Sequence, residues 1–144
     1  MLSIDIFDGD CFFAASPIAK SEQVAHYFVD LALIYQSEGI QKLIIYLDNN
    51  AAHKKKMKTL FTQLTGKLSI QVVFRYIAPY WPKLNLVEYG IHLIRQKITH
   101  HADYKTSLSE FESSIKDACN KKILSQTQIV NILQHIESSV TEIS

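Results

Sequence analysis

Residues 43–50 read Leu-Ile-Ile-Tyr-Leu-Asp-Asn-Asn, an apolar run of strand length that ends abruptly in polar side chains. Such a run predicts a strand buried on both faces of a sheet. Residues 53–66 carry apolar side chains at helical spacing, and residues 69–77 alternate apolar and polar side chains as a strand does. Strand, helix and strand at these lengths predict a βαβ unit with parallel strands. The predicted buried stripe of the helix is Met57, Leu60, Phe61 and Leu64.

On the N-terminal side of this unit, the sequence predicts a hairpin followed by a helix. Residues 2–7 alternate apolar and polar side chains, residues 11–15 are largely apolar, and Asp8-Gly9 between them is a signal for a tight hairpin turn. Residues 21–38 have helical periodicity, and Gly39 is placed to cap the helix end. The apolar positions of this helix are Val24, Phe28, Leu31 and Tyr35.

On the C-terminal side, a proline-bracketed loop over residues 78–83 precedes a predicted helix over residues 85–99. Two more helices each begin with a capping-box pattern, Ser107 to Glu110 and Ser125 to Gln128. The predicted apolar stripes are Val87, Ile91, Ile94 and Ile98, then Leu108, Phe111 and Ile115, and finally Ile129, Ile132, Leu133 and Ile136. We therefore predict a single α/β domain over residues 1–144, with a helical C-terminal end.

The composition is that of an ordinary globular protein. The chain has 144 residues, of which 47% are hydrophobic and 20% charged, and its net charge is +1. No apolar run approaches the ~20 residues that a membrane span needs. Cys11 and Cys119 lie far apart and outside any CxxC pattern, which favours a reducing compartment and argues against a structural zinc site. Composition thus predicts a soluble intracellular protein and gives no sign of nucleic-acid binding.

Two carboxylates are placed to meet at one edge of the predicted sheet. Asp48 directly follows a buried strand, and Glu88 lies in the first turn of the helix after the next strand. The exit loops of parallel strands open on the same edge, where ligand sites of α/β sheets form. Carboxylates that converge there suit Mg²⁺, which prefers oxygen ligands and phosphates. The alternatives are structural, since Asp48 could close a turn and Glu88 could complete a capping box with Asn85.

Other polar residues near this edge have both a functional and a structural interpretation. His53 could serve the site or simply begin a helix. The pair His100-His101 is read as a solvated helix end, because adjacent helical residues do not face one another. A run of lysines is usually a solvated surface, but this one would lie at the rim of the cleft, where a phosphate backbone would pass. It consists of Lys54, Lys55, Lys56 and Lys58.

Two ordered motifs resemble those of a known enzyme family. Residues 48–53, Asp-Asn-Asn-Ala-Ala-His, resemble the Asp-Asn-x-x-x-His signature of mariner-like bacterial insertion-sequence transposases. Residues 79–88, Pro-Tyr-Trp-Pro-Lys-Leu-Asn-Leu-Val-Glu, resemble that family's Pro-Tyr-Ser-Pro-x-Leu-Asn-Pro-x-Glu signature. Trp81 and Leu86 depart from the family pattern, and neither departure removes a metal ligand. With the flanking elements, the resemblance covers residues 2–103.

The resemblance implies a ribonuclease-H-like catalytic domain of the DDE superfamily, in which three acids hold two Mg²⁺ or Mn²⁺ ions. Asp48 matches the second acid and Glu88 the third, so both are implied catalytic residues and metal ligands. The other motif residues have supporting roles. They are Asn49, His53, Tyr80 and Asn85. The implied chemistry is phosphoryl transfer on DNA during transposition, a form of DNA recombination.

The first acid of the family has no clear counterpart. In the resembled fold it lies on a first strand that precedes a hairpin, whereas here the hairpin signal comes directly before the first helix. Residues 2–15 therefore match the second and third strands, and we expect the first strand and the N-terminal helix-turn-helix domain to be missing. The alternative is that Asp5 is the first acid. Because a missing strand leaves backbone groups unpaired, we expect either direct pairing of the hairpin with the strand before Asp48, or strand exchange in a homodimer.

The resemblance implies a truncated transposase domain for DNA strand cleavage and transfer that is inactive as the isolated chain. Its implied partner is the DNA of the element ends, with no membrane, in the bacterial cytoplasm at the nucleoid. One alternative is a non-enzymatic remnant that dimerises or binds full-length transposase or DNA and so regulates transposition. Another is that an upstream reading frame supplies the missing part by frameshifting.

Overall fold

The computed structural model describes residues 1–77, 85–99 and 107–141, without the side chains of Thr99, Ile136 and residues 139–141. The described elements are β1 (Leu2–Ile4), β2 (Cys11–Phe13), α1 (Ser21–Ser37), β3 (Lys42–Leu47), a 3₁₀ turn (Ala51–His53), α2 (Lys55–Leu64), β4 (Gln71–Tyr76), α3 (Leu86–Thr99), α4 (Leu108–Asn120) and α5 (Gln126–Thr141). This confirms the mixed α/β class. The chain divides into two compact units, residues 16–82 with Met1, and residues 2–15 with 83–144.

The first unit contains the predicted βαβ arrangement. β3 and β4 pair in parallel, from Lys42 opposite Gln71 to Leu47 opposite Tyr76. One face of β3 is buried, but on the other face Ile44 is 45% exposed and Tyr46 60% exposed. The prediction that this strand is buried on both faces is therefore wrong. A continuous apolar run indicates a strand, but it does not determine how many faces other elements cover.

Aromatic packing joins the two helices of the first unit to one face of its sheet. The Phe74 ring of β4 lies 5.6 Å from the Phe28 ring of α1, and 5.0 Å from the Phe61 ring of α2 in an edge-on contact. Met57, also on α2, is fully buried. Leu64 was predicted to be buried as well, but it is 46% exposed. Each fully buried side chain of this size stabilises the unit by about 1.5–3 kcal/mol.

The end of α1 is held as the sequence predicts. Gly39 has a φ of +82°, a conformation that glycine adopts without strain, and its N–H donates to the Gln36 carbonyl at 3.0 Å. The Gln36 side-chain oxygen also accepts hydrogen bonds from the N–H groups of Ser69 and Ile70, at 2.9 and 3.2 Å. Gln36 thus links the end of α1 to the segment that enters β4.

The hairpin of the second unit is confirmed, but its connection is longer than the tight turn predicted. β1 and β2 are antiparallel, and beyond them the Asp5 N–H donates to the Asp10 carbonyl at 2.8 Å. Within the connection, Asp5 Oδ1 accepts from the Phe7 N–H, and Asp8 Oδ1 accepts from the Asp10 N–H, each at 2.8 Å. Aspartate side chains that bond backbone groups two residues on stabilise such a longer turn. Gly9 follows Asp8 with a φ of +79°.

The hairpin packs on a buried core formed by the C-terminal helices. Leu124 is 1% exposed and Ile129 is fully buried in this core. Its other buried members are Leu86, Ile94, Ile98, Cys119 and Ile123. Side chains of β1 and β2, among them Ile4 and Phe13, pack against it. A Cβ at Gly90 would lie 2.5 Å from the Ile4 Cδ1 atom, so a glycine at this position lets α3 approach β1 closely.

Both predicted capping boxes are present. The Ser107 hydroxyl accepts from the Glu110 N–H at 3.3 Å, and the Glu110 carboxylate accepts from the Ser107 N–H at 2.8 Å. Ser125 and Gln128 exchange the equivalent bonds at 3.2 and 2.8 Å. The hydrogen bonds from the Ser107 backbone N–H and hydroxyl lower the pKa of Glu110, because they stabilise its charged form. These caps explain where α4 and α5 begin.

The apolar stripes predicted for α4 and α5 are only partly buried. Ile129 is fully buried, but Leu108 is 75% exposed, Phe111 41% and Leu133 38%. Helical periodicity predicts which face is apolar but not whether another element covers that face. The prediction for the Ile136 side chain, like that for the His100-His101 pair, lies outside the described residues.

The two cysteines, distant in sequence, are neighbours in the second unit. Cys11 on β2 and Cys119 on α4 are free thiols that hydrogen-bond to one another. Burial raises the pKa of Cys11 to about 12, with a further contribution from the charge of Cys119, and burial also raises the pKa of Cys119. Both thiols therefore stay protonated at neutral pH.

Among the described strands, two separate two-stranded sheets form, β1 with β2 and β3 with β4. The predicted direct pairing of the hairpin with β3 is therefore wrong for these strands. The two strands of each sheet still follow one another closely in sequence, as local pairing favours. The single-domain organisation and the ribonuclease-H-like arrangement stay predictions.

Candidate functional site

Asp48 lies where the sequence predicts, directly after the buried end of β3. Its Oδ1 atom accepts a hydrogen bond from the Asn50 N–H at 3.1 Å and lies 2.6 Å from His53 Nδ1. Asn50 in turn caps the 3₁₀ turn, because its Oδ1 accepts from the Ala52 N–H at 2.9 Å. The structural alternative, that Asp48 closes a turn, is thus confirmed, and the same oxygen also binds the histidine. The Asp48 side chain remains 47% exposed.

His53 is held from three directions. Its Nδ1 faces Asp48, its carbonyl accepts a hydrogen bond from the Tyr76 hydroxyl, and its ring lies 6.5 Å from the Phe28 ring. The side chain is only 23% exposed. A histidine fixed in this way orients the carboxylate beside it, as second-sphere partners of metal ligands do. Tyr76 was missed by the sequence analysis, because its role depends on the register that places it opposite Leu47.

Asn49 joins the ends of the two parallel strands. Its side-chain amide donates a hydrogen bond to the Ile77 carbonyl, just after β4. This hydrogen bond therefore fixes the loop that carries Asp48 to the end of the neighbouring strand. Asn49 therefore positions the backbone next to Asp48, and the supporting role that the motif implies stays a prediction.

The predicted lysines surround the start of α2, close to Asp48 in sequence. Lys54, Lys55 and Lys56 are exposed, whereas Lys58 is half-buried with its Nζ 4.6 Å from the centre of the Tyr76 ring. α2 has no acidic residue in its first turn, and Lys54 makes no side-chain cap at its start. Because a helix N-terminus is already electropositive, these lysines add to a positive surface that favours an anion.

Glu88 lies in the second unit, in the first turn of α3, and its side chain is exposed. The Asn85 side chain accepts from the Val87 N–H at 3.2 Å, and the Asn85 carbonyl accepts from the Glu88 N–H at 3.0 Å. Asn85 therefore begins the helix that presents Glu88, as the motif implies. Tyr80 lies outside the described residues. Asp48 and Glu88 belong to different units, so their convergence stays a prediction.

Asp5, the alternative first acid, belongs to the hairpin connection of the second unit. Its Oδ1 accepts from the Phe7 N–H, so this oxygen stabilises the turn. Nearby, Lys122 Nζ forms an ion pair with Asp10 Oδ1 at 3.1 Å. The hydrogen bond that Lys122 donates to the Asp10 carboxylate raises the pKa of Lys122, and the charges of Asp8 and Asp5 act in the same direction. This acidic turn thus carries its own counter-ion.

Asp48 and Glu88 each offer carboxylate oxygens, which are suitable ligands for a hard divalent cation. Asp48 offers a second carboxylate oxygen, Oδ2, and Glu88 offers an exposed carboxylate. Within residues 1–77, 85–99 and 107–141, no group of three or more His, Cys, Asp or Glu side chains is arranged to hold a metal. A metal centre shared by Asp48 and Glu88 therefore stays a prediction.

Comparison with known proteins does not extend this description. The chain matches no protein-family model, no curated protein and no solved structure. Across the part of the chain that the structure describes, no helix combines the length and the apolar character needed to cross a bilayer. The functional interpretation therefore depends on the residues around Asp48 and on the motifs.

Proposed function

We propose that this chain is a transposase-derived domain with a ribonuclease-H-like fold, which acts in metal-dependent cleavage and transfer of DNA strands. Asp48 and Glu88 hold Mg²⁺ or Mn²⁺ in this proposal. The observation that carries it is the Asp48 carboxylate, which lies at the carboxyl end of β3 with Oδ1 held by His53 and Asn50. A carboxylate fixed by one oxygen and half exposed is suited to binding a cation with the other.

The chain's own residues prepare this carboxylate. His53 Nδ1–H donates to Oδ1 and so fixes the plane of the carboxyl group, while Tyr76 fixes His53 through its carbonyl. Asn49 holds the loop against the end of β4. When bound, the metal would activate water or a 3′-hydroxyl and stabilise the charge on the departing oxygen.

DNA is the proposed substrate because of the positive surface beside the carboxylate. Lys54, Lys55 and Lys56 are exposed at the start of α2, where the helix dipole adds to their charge. Lysines on such a surface bind phosphate groups without reading the base sequence. The lysines attract the DNA backbone, and the carboxylate would hold a metal ion beside one of its phosphates.

The isolated chain is proposed to be inactive because the resembled family uses three acids and only two are matched. Activity would require a third carboxylate, from residues encoded in an upstream frame, from a partner chain or, in the alternative that makes the isolated chain complete, from Asp5. Two carboxylates alone bind a divalent ion weakly, since each lost anionic ligand reduces the attraction for the cation. A two-metal site forms only with the third acid in place.

The test is binding of labelled duplex DNA in Mg²⁺ and in EDTA, with nicking followed in the same samples. Mg²⁺ is expected to tighten binding of DNA by the wild type, because the ion would bridge the carboxylate and a phosphate, and Asp48→Ala is expected to remove this gain. Loss of a negative charge should by itself favour binding to DNA. A loss of affinity in Asp48→Ala that is present in Mg²⁺ and absent in EDTA therefore comes from the lost metal and not from a disturbed loop.

Asp30→Ala is the matched control, since Asp30 is an exposed acid on α1 of the same unit. It should leave the Mg²⁺ effect unchanged. DNA binding that is indifferent to both Mg²⁺ and Asp48→Ala would contradict the proposal and favour the non-enzymatic remnant. Nicking that requires metal and Asp48 would support the function but contradict the inactivity of the isolated chain.

A further inference from the structure

β3 has an open edge in the described part of the chain. The Gln71 N–H donates to the Gln41 carbonyl, and the Ile77 N–H donates to the Leu47 carbonyl. This alternation directs the backbone groups of residues 43, 45 and 47 towards β4 and those of Lys42, Ile44 and Tyr46 away from it. Among the described strands, β3 pairs only with β4. Its outer N–H and C=O groups are thus available to another strand.

The same three residues also project from the uncovered face of the sheet. Side chains alternate along a strand, and Phe74, which contacts both helices, shares its face with Ile45. Ile44 is 45% exposed and Tyr46 60% exposed on the opposite face. The open edge is therefore bordered by large apolar side chains.

β3 lacks the features that normally protect an edge strand. It contains no proline, and its one charged residue, Lys42, lies at its first position. β4, the other strand of this sheet, carries the exposed charge of Arg75 within it, and Lys58 packs on the Tyr76 ring beside it. Of the two strands, β3 is thus the one suited to pairing.

We propose that the β3 edge binds the β3 edge of a second copy of this chain, antiparallel and centred on Ile44. Twofold symmetry requires this antiparallel arrangement, and it joins the two sheets into one of four strands. Ile44 then faces Ile44 of the second copy, and Lys42 faces Tyr46 of the second copy. The proposal does not depend on the DNA chemistry proposed above.

The charges of β3 are complementary in this register. Each Lys42 ammonium lies beside the Tyr46 ring of the other copy, a cation–π pair that is favourable at exposed sites. No like charges face one another, because the pairing places a lysine opposite a tyrosine at both ends. The central Ile44 pair removes apolar surface from water, and the outward backbone groups of all three residues gain partners. A second copy therefore provides hydrogen-bond partners for the β3 edge and covers apolar side chains of the exposed face.

The test uses the fact that residue 44 would face itself. By sedimentation equilibrium the wild type is expected at twice its 16.5 kDa mass. Ile44→Lys and Ile44→Glu should each sediment as monomers, because like charges would meet on the symmetry axis. An equimolar mixture of the two variants should recover the doubled mass, because unlike charges then meet.

Leu33→Lys on α1 is the matched control, since Leu33 is 45% exposed, as Ile44 is. It should leave the dimer intact. Recovery in the mixture also shows that both variants are folded. A monomeric wild type, a dimer that survives Ile44→Lys, or a mixture that stays monomeric would each overturn the proposal.

Discussion

Gly9→Ala is expected to lower the free energy of unfolding of the second unit by about 2–5 kcal/mol. Gly9 has a φ of +79°, which costs an L-residue energy, and an added Cβ would lie 2.4 Å from the Leu124 backbone oxygen. The Ile129 Cδ1 atom would be 3.3 Å away. Leu124 is 1% exposed and Ile129 is fully buried, so both neighbours of the added Cβ belong to the packed core of this unit. Urea unfolding followed by circular dichroism measures the loss.

Gly39→Ala separates the two causes. Gly39 has a similar φ of +82°, but no atom lies within 4 Å of an added Cβ. Its substitution should therefore cost only the backbone strain, about 1–2 kcal/mol. Because the two glycines lie in different units, each variant is compared with the wild-type transition of its own unit. Equal losses for the two variants would contradict the close approach of Gly9 to Leu124.

Asp48→Asn is expected to abolish measurable Mn²⁺ binding, and His53→Ala is expected to weaken it about 10–100-fold. The asparagine keeps the shape of the side chain but removes the negative charge that attracts the cation. The alanine leaves the charge and removes the Nδ1 contact that fixes Oδ1. Isothermal titration calorimetry with Mn²⁺ measures both effects.

Two further variants, Tyr76→Phe and Asp30→Asn, test whether these losses of Mn²⁺ binding are specific to Asp48 and His53. Tyr76→Phe removes the hydroxyl that donates to the His53 carbonyl, so its effect should be smaller than that of His53→Ala. Asp30→Asn removes an equal charge from the same unit at α1 and should change nothing. Equal losses for Asp30→Asn and Asp48→Asn would mean that net charge, and not a site at Asp48, attracts the ion.

The sequence predicted the elements whose signals are local. The βαβ unit, the cap at Gly39 and both capping boxes depend on residues within a few positions of one another, and all are present. The contact between Asp48 and His53 is also local, because a 3₁₀ turn brings the histidine back to the carboxylate.

Features that depend on distant residues were not predictable in the same way. The exposure of Ile44 depends on how many elements cover the sheet, and that of Leu108 depends on what packs against α4. Tyr76 reaches His53 only because β4 adopts its particular register. The meeting of Cys11 and Cys119 likewise requires the tertiary fold. Periodicity predicts which face of a helix or strand a side chain lies on, but it does not predict which distant element packs against that face.

In the proposed function, Asp48 and Glu88 share one metal ion. The most direct measurement is Mn²⁺ broadening of backbone amide signals by NMR, because a bound paramagnetic ion broadens signals of nearby residues only. If the two carboxylates share the ion, residues 48–53 and residues 86–90 are expected to broaden together at the same Mn²⁺ concentration, and Asp48→Asn is expected to remove both effects. Broadening of residues 48–53 without 86–90, or broadening confined to the acidic hairpin connection at residues 5–10, would contradict a shared ion.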